Sequence, residues 1–227
     1  MQNPRTNTGT TPTVDSIVDK LNTIYRNGYS YHRVFRDWID LMLYALQRTD
    51  TEYLETMDHY GNDAPRGERE ADLFAAAFGE LQVATANTGL DVLGDVYETF
   101  GMQSDYLGQH FTPHEVAELL AELQYGSDDS VEKISDPACG SGRLLLYSAQ
   151  RHPDVVLFGQ DKDAVCAKLT ALNLCLFNFD GYVVHGDTIR LEQQKIWQTV
   201  STSSGGIVRE IVRDEEQTET LEDLPAE

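Results

Sequence analysis

Cations are scarce in this sequence: 17 Lys and Arg stand against 38 Asp and Glu, a formal charge of −21, and only five of the 17 are lysines. A basic footprint is the usual mark of a nucleic-acid binder, so at ordinary salt this balance argues against DNA as a direct partner. At molar salt charges are screened beyond ~3 Å and the objection lapses. An acid-rich, lysine-poor surface resembles that of proteins from salt-loaded cytoplasms, so a halophilic source is an expectation, with DNA kept open as a partner at high salt or through another subunit. Cysteine is also sparse. Cys139, Cys166 and Cys175 form no C-x-x-C pair and too irregular a set for a disulfide framework, which points to reduced thiols. His110 and His114 stand four apart, as zinc ligands on a helix do, but no third ligand clusters with them, so no metal site is expected. No run approaches the ~18 apolar residues of a membrane span. The opening "MQNPRTNTGTTPT" has no basic-then-apolar signal pattern. The expected location is cytoplasmic, with no membrane partner.

What is present divides by period. Residues 1–11 read as a flexible arm, and residues 12–104 as a helical domain. "VDSIVDKLNTIY" puts Val14, Ile17, Val18, Leu21 and Ile24 on one face, and "YHRVFRDWIDLMLYAL" does so with Val34, Trp38, Leu41, Met42 and Ala45. "EADLFAAAFGELQVATA" and "GLDVLGDVYETFG" are two further segments of a bundle whose apolar faces are expected to need only each other. From residue 105 to 213 the pattern becomes α/β. "EKISD" (132–136), "VVLFGQD" (155–161) and "GYVVHGD" (181–187) are short β-branched runs ending in an acid, with helical segments between them. That alternation predicts βαβ units and a parallel sheet, with Asp136, Asp161 and Asp187 together at the ligand-binding carboxyl edge. "TIRLEQQKIWQTV" reads as a helix, with Trp197 as core, and "IVREIV" (207–212) as one more strand. The acidic stretch 214–227 reads as a disordered tail.

The stretch "DPACGSGR", Asp136 to Arg143, joins the first strand to a helix. Gly140 and Gly142 permit backbone angles and a close ligand approach that a side chain would block. The helix that follows offers free N–H groups and a positive dipole end. Asp161 lies 161 − 142 = 19 residues beyond the second glycine, at the end of the next strand. That is close to the ~20 expected of a ribose-binding carboxylate, so the turn suits a nucleoside.

"DVLGDVYE", "LGQHFTPHEV", "DPACGSGRLLL", "GQDKD" and "VVHGDTI", in that order, resemble the N6-adenine DNA methyltransferases, especially the modification subunit of type I restriction systems. The resemblance covers roughly Asp91 to Ile189. It implies a helical bundle followed by a truncated Rossmann-like (class I methyltransferase) parallel sheet, with S-adenosylmethionine as cofactor. By resemblance, Thr112 and Pro113 match the segment that reaches over the cofactor's methionine end. Asp136, Ala138, Gly140 and Gly142 match the cofactor loop, Asp161 the ribose acid, and Asp187 the acid near the adenine amino group. His110 stands where the family commonly has an aromatic residue. Read singly, Asp136 ends a strand, Thr112–Pro113 starts a helix and Asp187 caps a turn.

The family holds its target base with an Asn/Asp-Pro-Pro-aromatic segment, which this sequence lacks: its seven prolines are Pro4, Pro12, Pro65, Pro113, Pro137, Pro153 and Pro225, and no two are adjacent. No residue is therefore assigned as catalytic. Three readings follow: a cofactor-binding relative inactive by itself, a methyltransferase subunit completed by a partner chain, or a non-catalytic interaction module. Another protein chain or self-association is expected in each. In a complete member the first strand is flanked on both sides, so "IVREIV" is expected to pair beside it.

Overall fold

The computed structural model describes residues 12–102, 110–125 and 131–212. The arm 1–11 and the tail 214–227 lie outside the described residues, as does the boundary expected at 104/105. Six helices come first: α1 (Val14–Arg26), α2 (Tyr31–Gln47), α3 (Asp50–Met57), α4 (Glu70–Thr88), α5 (Val92–Thr99) and α6 (His114–Tyr125). Then β1 (Lys133–Asp136), α7 (Arg143–Arg151), β2 (Val156–Asp161), α8 (Ala164–Leu176), β3 (Gly181–His185), β4 (Lys195–Val200) and β5 (Ile207–Ile211) form a five-stranded sheet with its helices, in the order β1-β2-β3-β4-β5.

The amphipathic spacing is realised in α1, which buries Ile17, Val18, Leu21 and Ile24, and its Thr13–Ser16 capping box fixes where it starts. In α2 the residues Val34, Trp38, Leu41 and Met42 are buried as expected, together with Phe35 and Ile39, but Ala45 is exposed. The wider apolar stripe has a cause. The helices do not need only each other: α2 packs on α8 and β5, and one continuous core runs from Ile17 to Val208.

β1, β2 and β3 are parallel, with Ile134 beside Leu157 and Asp161 beside His185, linked by α7 and α8 as βαβ units. The rest of the sheet differs from expectation. Residues 195–200, read as helical, form β4, which runs antiparallel to β3 with Val183 opposite Trp197. The chain can return at once because an added Cβ on Gly186 would lie 2.0 Å from the Glu192 carbonyl oxygen, so only glycine admits the crossing strand. Gln194 N–H donates to the His185 carbonyl to close the hairpin. The run Ile196, Trp197, Thr199, Val200 is rich in the branched and aromatic residues that a pleated surface takes. Trp197 is core, as expected, although on a strand.

β5 is a strand at the expected position, but it does not pair beside β1. It lies antiparallel to β4 at the opposite edge, Val200 beside Ile207. The short connection 201–206 explains this, because closing a local hairpin costs far less chain entropy than crossing a whole sheet. The sheet is therefore mixed, and among the described residues β1 and β5 are its two edges.

Candidate functional site

A cleft of about 550 Å³ opens at the carboxyl ends of β1, β2 and β3. Six of the eight residues assigned from the sequence line it: Thr112, Asp136, Ala138, Gly140, Asp161 and Asp187. Pro113 and Gly142 do not. The Pro113 carbonyl accepts from Val116 and Ala117 N–H and starts α6. Gly142 closes the turn, donating to the Cys139 carbonyl at 2.7 Å with φ of +82°, and an added Cβ would meet Thr170 at 3.0 Å. Gly142→Ala is expected to destabilise the protein by about 1–2 kcal/mol from the left-handed backbone alone, as urea unfolding would show.

Asp161 organises the turn. Its Oδ2 accepts from Gly140 N–H at 2.9 Å and its Oδ1 from Asp163 N–H at 2.8 Å, so the carboxylate is fixed in place. Asp136 Oδ1 accepts from Ala138 N–H at 3.0 Å. Burial pushes both carboxyls above their ordinary range, and Asp136 adds to the rise at Asp161. Asp187 Oδ1 accepts from Ile189 and Arg190 N–H and so caps its own turn. Thr188 Oγ1 donates to the Pro137 carbonyl at 2.7 Å and joins that turn to the glycine turn. On the far wall, Phe111 packs over Gly140 and stacks on Tyr97 at 5.0 Å between ring centres.

Along one wall of the cleft and beneath it runs a network of charged and polar side chains that were not among the residues assigned from the sequence. Asp91, 1% exposed, caps α5 by accepting from Gly94 N–H at 2.7 Å. It also accepts from Asn173 Nδ2 at 2.7 Å, Arg143 Nε at 3.0 Å and Ser141 Oγ within the glycine turn. Burial raises the Asp91 carboxyl, and Arg143 and the other donors pull against that rise. The Arg143 guanidinium continues to Asp95 Oδ1 at 2.7 Å and to the Thr112 carbonyl at 3.0 Å. Glu98 accepts from Phe111 N–H at 3.3 Å. His114 Nε2 lies 2.9 Å from Asp95, which only accepts, so that nitrogen carries the proton; Nδ1 then faces the Tyr147 hydroxyl. His114 is thus committed to this network. Segment 111–114 is held over the cleft by α5 and α7 together.

One sequence signal pointed here. Arg143 puts a cation on the first turn of a helix, where the dipole disfavours it, in a chain short of cations. Such a residue implies a buried acid nearby, although not which one.

Residues 88–204, just over half of the chain, match the family model described as N-6 DNA methylase. The chain belongs to that family. Among curated proteins, the type I restriction enzyme MjaVIII methylase subunit of Methanocaldococcus jannaschii is 39% identical over 109 residues, which are 44% of this chain and 18% of that protein. The MpnII methylase subunit of Mycoplasma pneumoniae is 30% identical over 130 residues, 51% of this chain and 24% of that one. The chain spans about a fifth of the length of these relatives. A type I restriction-modification methyltransferase subunit from Streptococcus thermophilus shares 20% identity with a TM-score of 0.35, over 72% of this chain and 36% of that one. A Listeria monocytogenes protein described as a class I S-adenosylmethionine-dependent methyltransferase shares 19% with a TM-score of 0.43, over 74% and 51%. Membership in the N-6 DNA methylase family therefore rests on the sequence match.

Proposed function

We propose that this chain binds S-adenosylmethionine in the cleft and supplies the cofactor-holding part of an adenine-N6 DNA methyltransferase, with the base-holding segment coming from polypeptide outside these 227 residues. The observation that carries this is the meeting of Asp136, Asp161 and Asp187 with the glycine turn on one cleft. The donor set suits the ligand: the ammonium, ribose hydroxyls and adenine amino group are donors or cations, and the cleft presents carboxylates. Its volume lies within the ~300–1,000 Å³ usual for small-molecule sites. When bound, the cofactor supplies a methyl group on a sulfonium, ready for displacement by an amine.

In this reading Asp161, its orientation set by Gly140 and Asp163 N–H, accepts from the ribose hydroxyls. Thr112 lies at the methionine end, its carbonyl held by Arg143. Asp136 and Asp187 serve the remaining donors. None of these residues takes a proton from adenine or stacks on it, which is why transfer is assigned to the completed assembly. Two features support completion by further polypeptide. β1 has an unpaired outer edge among the described residues, and such edges accept strands. α6, packed along α7, leaves Leu119 and Leu123 exposed at 56% and 74%.

Titration calorimetry in molar salt is expected to give heat with S-adenosylmethionine or S-adenosylhomocysteine. The same chain is expected to transfer no tritiated methyl to adenine-containing DNA. Silence with both ligands would sink the cofactor assignment, and leave the interaction-module reading in its place. Incorporation above background by this chain alone would sink the division of labour.

A further inference from the structure

A second cleft, of about 480 Å³, lies between α2 and the start of α8. Its walls carry Arg36, Lys162 and Lys168 against Asp40 and Asp163, so it holds a local excess of positive charge in a chain of −21. Both acids are already engaged. Lys168 pairs with Asp40. The Asp163 side chain accepts from Val165 and Cys166 N–H at the α8 N-terminus. Arg36 and Lys162, like several other exposed cations among the described residues, make no ion pair; what sets these two apart is that they line one cleft.

We propose that this cleft is a phosphate-binding subsite, with Arg36 and Lys162 as its donors. Arg36 presents a planar fork suited to two phosphate oxygens, and Lys162 a point charge. Lys162 lines both clefts, so the subsite adjoins the proposed nucleoside site and a phosphate held there comes alongside it. The chemistry is that of a phosphate group, from a nucleic-acid backbone or a free phosphate. The neighbouring assignment rests on the cofactor reading, but the anion site itself does not.

Arg36→Ala separates the two, because Arg36 lines this cleft and not the first and is exposed on α2. Full-length protein is titrated by calorimetry with inorganic phosphate and with a short single-stranded oligonucleotide, against chloride at matched ionic strength. Heat with phosphate but not chloride is expected, and Arg36→Ala is expected to weaken it about tenfold while S-adenosylmethionine binding stays unchanged. An oligonucleotide that binds more tightly than phosphate and competes with it identifies a backbone source; one that does not compete identifies free phosphate. The proposal falls if phosphate and chloride behave alike, or if Arg36→Ala binds phosphate as the parent does, whatever the cofactor does.

Discussion

Asp91→Ala is expected to destabilise the protein by about 3–5 kcal/mol, the range for removing one partner of a buried ion pair. The carboxylate is wholly enclosed and accepts from four groups on four segments: Gly94 in α5, Ser141 in the glycine turn, Arg143 in α7 and Asn173 in α8. Truncation removes the α5 cap, worth about 1 kcal/mol alone. It also leaves buried donors at Ser141 and Asn173 short of an acceptor, at about 1–3 kcal/mol for an unsatisfied group. Arg143 keeps Asp95 as a partner, so these losses do not simply add. Asn at position 91 keeps the shape and the cap but not the charge, and should fall between the parent and Ala. Urea unfolding at fixed salt decides, and a loss below about 1 kcal/mol for Asp91→Ala would show that the network contributes far less than its burial implies. The cleft at the strand ends should be disturbed with it, since Ser141 and Arg143 both line it and both bond to Asp91.

That network marks the limit of what local patterns carry. The three parallel strands and the glycine turn were legible because each is encoded within a few residues: β-branched runs, an acid at or just beyond the strand end, two glycines before a helix. Asp91 and Arg143 are 52 positions apart and their pairing has no period. What the sequence held was a capping acid at one place and an ill-placed cation at another, each with a local explanation of its own. The C-terminal strands failed differently. Residues 188–197 can be laid on a helical wheel, but Leu191 adopts a left-handed backbone with φ of 57° and ends any helix there. Ile189 and Leu191 then stay exposed, at 94% and 86%, instead of forming an apolar face. Strand placement was lost with it: once β4 turns back on β3, β5 has a near partner in β4 and no reason to reach β1.

S-adenosylmethionine is expected to raise the melting temperature more at pH 7 than at pH 5, and Asp161→Ala to weaken its binding by about a hundredfold or more. Burial raises the carboxyls of Asp136 and Asp161, and the charge of Asp136 adds to the rise at Asp161. A carboxyl raised on folding contributes stability that is fully present below its unfolded value and is lost as the pH climbs through the raised one. Above the raised range the cleft carries two ionised acids at a cost, and a cationic ligand with hydroxyl donors removes that cost. As the pH falls into the raised range the acids take up protons instead, and the ligand must displace them, so both affinity and thermal shift decline. For Asp161 the size follows from two hydroxyl bonds to a charged acceptor at about 1.5–3 kcal/mol each. Because Asp161 also holds Gly140 and Asp163 N–H, its Ala variant is checked first for a folded baseline melt. The pH dependence then carries the test: in Asp161→Ala the residual thermal shift should vary less with pH than in the parent. A shift in the parent that is flat from pH 5 to pH 7, or an Ala variant with parental affinity, would remove these carboxylates from the cofactor site.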